Sequence, residues 1–263
     1  MNAPVSAPEL SIIIPAYNEE GRLGRTLSRI REYFAGRRVP PGVAPEISLN
    51  QLEILIVDDG SKDGTARIAE EWSQEMPSVR FVSNRENRGK GYSVRHGMLE
   101  ARGRLALFTD ADLSSPIEEI EKLLAAIAAG NDIAIGSRAL DRSLISIHQS
   151  RHRELAGIVF NKLMRMITGL PFHDTQCGFK IFRRERSRII FEQQRIERFG
   201  FDPEILFLAK RHGLRIAEVP VRWAHDPATK VHVLRDSVMM FRDLLVIRWN
   251  WLLRRYPQKR DAQ

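Results

Sequence analysis

Short apolar runs alternate with helical apolar stripes through the first 140 residues, and this alternation leaves few folds open. "LSIII" (Leu10–Ile14) and "LEILIV" (Leu52–Val57) are apolar almost throughout, as strands covered on both faces are. Val79–Val82, Leu105–Thr109 and Asp132–Gly136 read as further strands. Between them Leu23, Leu27, Ile30 and Phe34 share one helical face, and Ile117, Ile120, Leu124 and Ile127 share another. The second helix is expected to open with Ser115 as N-cap, Pro116 in first position and Glu118 closing a capping box. The pattern predicts an α/β protein, a mostly parallel central sheet flanked by helices. Ligands of such sheets bind beyond the carboxyl ends of the strands. "AGRRVPPGVAPEIS" (Ala35–Ser48) is rich in Pro and Gly and reads as a surface loop. Past residue 140 the alternation fades into helices, a short strand near Ala217–Trp223, and one long helix from about Leu234 to Arg255.

The bulk composition narrows the function. With 43% hydrophobic residues in 263, the chain can bury a real core and is not disordered. The lone Cys177 excludes an internal disulfide and reads as a small core residue, not a nucleophile. The seven histidines show no HExxH spacing, and His148 with His152 is not enough for a metal. "MNAPVSAPEL" lacks the basic and apolar regions of a secretory signal, and no window holds the ~18 consecutive apolar residues of a membrane span. A net charge of +8 raises nucleic acid as a partner, yet no RRM, KH or zinc-finger pattern is present. The excess sits late: Arg142–Arg198 holds twelve Lys/Arg against five Asp/Glu. Such a face is either merely solvated or meets phosphates and lipid head groups.

The strongest local signal is "LFTDADLSS" (Leu107–Ser115), where an apolar strand ends in Asp110 and Asp112. Two carboxylates so close repel, and a metal ion, an arginine or water must offset them. Asp-x-Asp at a strand end suits Mg²⁺ or Mn²⁺ held against a diphosphate, because hard cations prefer carboxylate oxygen. "IPAYNEEGRL" places Tyr17 and Glu19 past the first strand, where they suit a base or ribose, and Pro15 stops sheet pairing. "VDDGSKDGT" (Val57–Thr65) offers Asp58 or Asp59 to a ribose hydroxyl or base NH, although "SKDGT" alone reads as a turn and helix cap. In "NRENRGKGYSVRHGM" (Asn84–Met98), Gly89 and Gly91 allow close backbone approach, and Arg88 and Lys90 suit phosphate. "GSR" (Gly136–Arg138) ends another strand with a cation, and "HDTQCGFKIF" (His173–Phe182) mixes polar and apolar residues without a period.

Together, "IPAYNEE", "VDDGSKDGT", "NRGKG", "DADLSS", "GSR", "DTQCGFKIF", "RFGFDPEIL", "AEVPVRW" and "FRDLLVIR" resemble the family 2 glycosyltransferases of GT-A fold. The resemblance spans about Leu10 to Trp251 and is nearer to the dolichyl-phosphate β-glucosyltransferase branch than to the dolichol-phosphate mannose synthases. It implies that Pro15, Tyr17, Glu19, Val57 and Asp59, with Asp58 and Lys90 beside them, hold a nucleotide sugar, UDP-glucose for this branch. Asp110 and Asp112 would bind Mg²⁺ or Mn²⁺ and the diphosphate, with Ala111 adding backbone and Lys230 closing over the donor. Arg138, Arg151 and Arg153 would face the acceptor phosphate, with Gln176 and Asp202 on the same side. Two departures stand out: the anchor that precedes the eukaryotic enzymes is not read here, and "AHDPATK" replaces the family's glycine-serine-lysine approach.

The resemblance implies direct displacement with inversion, onto a polyprenyl phosphate that is already an anion and needs no strong base. A hydroxyl acceptor would need one, with Asp174 or Asp202 as candidates. Another sugar nucleotide such as GDP-mannose or UDP-GlcNAc, a soluble acceptor, or a non-catalytic nucleotide-binding relative are the alternatives. The expected organisation is a flexible start (1–9), a catalytic domain (10–230, nucleotide-sugar half 10–138, acceptor half 139–230), an amphipathic helix (231–256) and a tail (257–263). In that helix Leu234, Val238, Phe241, Leu245, Trp249 and Leu252 form an apolar stripe with arginines around it, suited to a membrane surface or to packing on the domain. The expected setting is the cytoplasmic face of a membrane, peripherally bound, with a membrane protein as a possible partner.

Overall fold

The computed structural model describes residues 7–37, 47–147, 161–224 and 233–257, with side chains from 238 onward in the last stretch. The strands are β1 (Leu10–Ala16), β2 (Leu52–Asp58), β3 (Val79–Ser83), β4 (Leu105–Thr109), β5 (Ile133–Ser137), β6 (Ile145–Ile147), β7 (Phe179–Arg183), β8 (Ile216–Pro220) and β9 (Trp223–Ala224). The helices are α1 (Leu23–Gly36), α2 (Thr65–Glu75), α3 (Lys90–Glu100), α4 (Ile120–Ala128), α5 (161–168), α6 (Arg184–Gln193), α7 (Phe201–Arg211) and α8 (Val233–Leu252).

One sheet runs in the order β3-β2-β1-β4-β7-β5-β8, and β6 pairs with β9 in a small second ladder. Every pairing in the large sheet is parallel except those of β7, which lies antiparallel between β4 and β5. Side chains alternate across the sheet, so each strand feeds two cores. Ile12, Ile14, Ile54 and Ile56 meet Leu23, Leu27 and Ile30 of α1 and Leu124 of α4 on one face. Ile13, Leu55 and Val57 meet Val94 of α3, Phe191 of α6, Ile205 of α7 and Leu244 of α8 on the other. Burying each such side chain contributes about 1.5–3 kcal/mol before conformational entropy is subtracted.

The chain runs outward from β1 to β2 and β3, then returns to place β4 on the opposite side of β1. The strand order therefore reverses between β1 and β4, and a crevice opens beyond their carboxyl ends. The expected capping box does not form. Ser115 turns its hydroxyl to Cys177 Sγ (3.7 Å), Glu118 pairs with Arg29, and a 3-10 turn with Pro116 as N-cap precedes α4. Cys177 is buried, as its reading as a core residue requires, and burial pushes its thiol up to about 11. Most of the loop Ala35–Ser48 and the tail beyond 257 lie outside the described residues, as do His148, His152 and the side chains of Leu234 and Arg235.

Candidate active site

The carboxyl ends of β1, β2 and β4 border a cleft of ≈ 350 Å³. Pro15, Tyr17 and Glu19 line it from β1 and its loop, Asp59 from the end of β2, and Gly89 and Lys90 from the start of α3. Asp110, Ala111 and Asp112 line it from the end of β4, and Arg198 and Phe199 close it from the loop before α7.

The loops are fixed by one another. Asn18, in the left-handed region at φ 53°, accepts from Lys62 N (2.8 Å), while its own NH donates to Ser61 Oγ (2.9 Å). Glu19 N donates to Thr65 Oγ1 (2.7 Å), and the Glu19 carboxylate pairs with Arg22 (Nη2–Oε1 3.2 Å). The two adjacent acids after β2 do separate work. Asp58 accepts from Ser61 N at 3.2 Å and shapes the turn. Asp59 accepts from Gly89 N (2.7 Å), Arg88 N (3.1 Å) and Asn84 Nδ2 (2.8 Å), which fastens the basic loop beside the cleft. Gly89 sits at φ 108°, and a side chain there would press on Glu197 O at 2.7 Å.

Asp110 Oδ1 lies 2.5 Å from Lys90 Nζ. Asp112 Oδ1 accepts from Ser114 N (2.9 Å), and the Ala111 carbonyl accepts from Thr26 Oγ1 of α1 (2.6 Å). Burial first, and Asp110 second, push the Asp112 carboxyl above the ordinary carboxylate range. Burial alone would draw the Lys90 ammonium down, but Asp110 and Asp202 outweigh it and hold it above the ordinary lysine range. Behind Lys90, the fully buried Lys180 donates to Cys177 O (2.6 Å) and pairs with Asp202. Burial raises the Asp202 carboxyl, with Lys180 and Lys90 pulling against it. Charges of alternating sign thus run inward from Asp110 through Lys90 and Asp202 to Lys180.

The reversed strand explains how "DTQCG" reaches this place. Because β7 is antiparallel, its first residue, Phe179, lies opposite Thr109, the last of β4. The residues before β7 are therefore delivered to the carboxyl edge. Gly178 lets the Asp110 carboxylate lie against the backbone, since a Cβ there would fall 2.5 Å from Asp110 Cγ.

Arg138 lies outside the cleft lining. Its Nε and Nη2 reach Asp174 at 2.6 and 2.9 Å, its NH reaches the same carboxylate at 3.0 Å, and its guanidinium stands 5.3 Å from the Trp223 ring centre. Burial would raise the Asp174 carboxyl, but Arg138 overrides it and holds the group at about 2. Val57 is in the core of β2, Gln176 Nε2 reaches Met240 Sδ of α8 at 3.7 Å, and Asp202 is interior. Arg151, Arg153 and Lys230 lie outside the described residues. Lys180, Gly178, Arg198 and Phe199 were not singled out one by one, although their stretches "DTQCGFKIF" and "RFGFDPEIL" were. A lysine inside an otherwise apolar strand was the available signal.

Among the described residues no three His, Cys, Asp or Glu side chains converge on one point. The donor set is two carboxylates at the cleft wall, Asp110 and Asp112, which repel and which Lys90 offsets only in part. Hard oxygen donors of this kind fit Mg²⁺ or Mn²⁺ that takes its remaining ligands from a bound phosphate and water.

Residues 11–189 match the model for glycosyl transferase family 2. Dolichyl-phosphate beta-glucosyltransferases of Dictyostelium discoideum, Drosophila melanogaster and Homo sapiens are 35%, 38% and 34% identical to the chain. The alignments cover 95%, 91% and 93% of this chain and 77%, 74% and 76% of those proteins. Among solved structures, glucosyl-3-phosphoglycerate synthase from Mycobacterium tuberculosis, in complex with Mn²⁺, UDP and glucosyl-3-phosphoglycerate, is similar at a TM-score of 0.60 and 19% identity. The match covers 98% of this chain and 82% of that one. Mannosyl-3-phosphoglycerate synthase from Rubrobacter xylanophilus gives 0.61 at 20% identity, over 98% and 78%. The fold is GT-A.

Proposed function

The chain belongs to glycosyl transferase family 2 and is a hexosyltransferase, and we propose that it moves glucose from UDP-glucose to a polyprenyl phosphate, with Mg²⁺ or Mn²⁺ held by Asp110 and Asp112. The observation that carries the reading is the meeting of Asp110, Asp112 and Lys90 in one cleft with Tyr17 and Glu19. The identity to dolichyl-phosphate beta-glucosyltransferases over nine-tenths of the chain supports glucose as the sugar and a polyprenyl phosphate as the acceptor.

Tyr17 and Glu19 stand where base and ribose enter. Lys90, charged at the cleft wall, meets the diphosphate, and Asp59 holds the Lys90 loop in register. A bound divalent ion supplies Lewis-acid neutralisation of the departing diphosphate. Arg138, Arg151 and Arg153 orient the acceptor phosphate, and Arg198 adds a cation at the cleft lip. No strong base is required, because the acceptor oxygen is anionic before reaction. The buried carboxylates fit that demand: Asp174 is spent on Arg138 and Asp202 on Lys180, and neither lines the cleft.

The test is transfer from radiolabelled UDP-glucose or GDP-mannose to a short polyprenyl phosphate, with Mn²⁺, Mg²⁺ or EDTA. Label should reach the acceptor from UDP-glucose alone and only with metal. Asp112→Asn, with its melting temperature unchanged, should remove nearly all transfer. Activity in EDTA would refute the metal assignment, and preference for GDP-mannose would refute the sugar assignment.

A further inference from the structure

Helix α8 has two apolar faces. Leu244, Ile247 and Trp251 pack against the core. The opposite face carries Val238, Phe241, Leu245, Trp249 and Leu252, between 39% and 71% exposed, followed by exposed Leu253. Their spacing of three and four residues makes one continuous stripe about 20 Å long. Of the two faces the outward one is the stripe visible in the sequence, so the helix uses a different face to hold the domain. Arg242 and Arg248 border the stripe, and exposed Arg254 and Arg255 follow it. The nearby acid Asp243 turns the other way, where a Cβ on Gly200 would lie 2.5 Å from its Cβ. Among the described residues no helix is long and apolar enough to cross a membrane.

We propose that this stripe docks on an anionic lipid surface, with α8 lying in the plane of the head groups. The proposal rests on the lipid acceptor argued above and adds the face that meets the lipid. Charge selects the occupant. The arginines beside the stripe complement anionic head groups, whereas a second copy of α8 laid against it would set like charges together. The inner face of α8, away from the stripe, adjoins the loop that closes the cleft. Met240 receives the hydrogen bond of Gln176, and Asp243 abuts Gly200, the residue after Arg198 and Phe199 of the cleft lip.

The test is co-sedimentation of the full chain with vesicles of phosphatidylcholine alone or mixed with phosphatidylglycerol. The chain should bind the anionic vesicles at least about tenfold more tightly, with affinity falling as salt rises. The double variant Leu245→Glu with Trp249→Glu changes exposed positions only, and an unchanged melting temperature verifies its fold. It should lose vesicle binding by about tenfold or more, and lose transfer to a long polyprenyl phosphate in vesicles, yet keep transfer to a short water-soluble prenyl phosphate. Ile189→Glu, an exposed position on α6, should change none of these. Wild-type binding to neither vesicle, or undiminished binding by the double variant, overturns the proposal. So does a wild-type dimer in sedimentation velocity that the double variant dissolves without any vesicle binding. Vesicle binding with no transfer to either acceptor overturns the glucosyl reading and leaves the docking face standing.

Discussion

Gly178→Ala tests whether the position of the Asp110 carboxylate governs turnover. A Cβ at residue 178 would sit 2.5 Å from Asp110 Cγ and 2.6 Å from Oδ1, where ordinary contact begins at 3.4 Å. The carboxylate must retreat by about 0.9 Å, the difference between 2.5 and 3.4 Å. It is the end of a partly exposed side chain, so it can swing aside without unfolding the sheet. Lys90 Nζ, now 2.5 Å from Oδ1, cannot follow freely, because Asp202 attracts it as well. A displacement near 1 Å in a reacting constellation costs about 100-fold in rate, or about 3 kcal/mol of transition-state stabilisation. The expected result is a kcat/KM for glucosyl transfer reduced about 100-fold, with weaker binding of UDP in the presence of Mn²⁺ by calorimetry and a nearly unchanged melting temperature. Gly36→Ala, where a Cβ meets nothing within 4 Å, is the control and should change neither. Wild-type kcat/KM in a folded Gly178→Ala protein would refute the claim that this carboxylate's placement matters.

Lys180→Met should destabilise the fold by about 3–5 kcal/mol, because it strands the Asp202 carboxylate in the interior. Urea titration should show that Lys180→Met combined with Asp202→Leu recovers most of that loss, and a double variant no better than the single one would dismiss the pair as the cause. Glu204 supplies a pH dependence. Burial pushes its carboxyl up to about 7, against hydrogen bonds from Tyr256 Oη and the NH groups of Ile196 and Arg195. The folded protein therefore keeps a proton that the unfolded chain releases near the ordinary value of 4.5. This contribution to stability is fully present below that value and is lost as pH rises through about 7, some 3 kcal/mol in all. Chemical denaturation between pH 5 and 8 should show the decline, and Glu204→Gln should flatten it.

Strands β1, β2, β4 and β5 were legible because parallel strands covered on both faces must be apolar nearly throughout, and the edge strand β3, half-buried, was legible from its β-branched and aromatic residues. The run Leu105–Thr109 is β4 to the residue, and Leu10–Ile14 falls two residues short of β1. The stripe Leu23, Leu27, Ile30 and Phe34 is buried as the helical period requires. The strand β7 was not legible. Its Lys180 breaks the apolar run, and its burial makes sense only with Asp202, a residue 22 positions later and on another element. The capping box failed for a related reason, since Ser115 and Glu118 answer to Cys177 and Arg29, which local sequence cannot supply. Of the site, the residues ending β1, β2 and β4 were readable from their motifs. Asp59's grip on the basic loop and Arg138's on Asp174 depend on how distant segments meet.

The reversed strand gives the enzyme a chronology. A ribosome finishes β1 to β5 well before it delivers Phe179–Arg183, and until then one edge of β4 and both edges of β5 are bare of hydrogen-bonding partners. Only the arrival of β7 joins them, and only then do Gly178 and Lys180 close around Asp110 and Lys90. A nascent chain stopped at residue 175 carries Lys90, Asp110 and Asp112 but lacks Gly178, against which Asp110 lies, and Asp202, which acts on Lys90. Competence is thus withheld until more than two-thirds of the polypeptide exists, and the price is an interval in which bare strand edges need shelter from their neighbours.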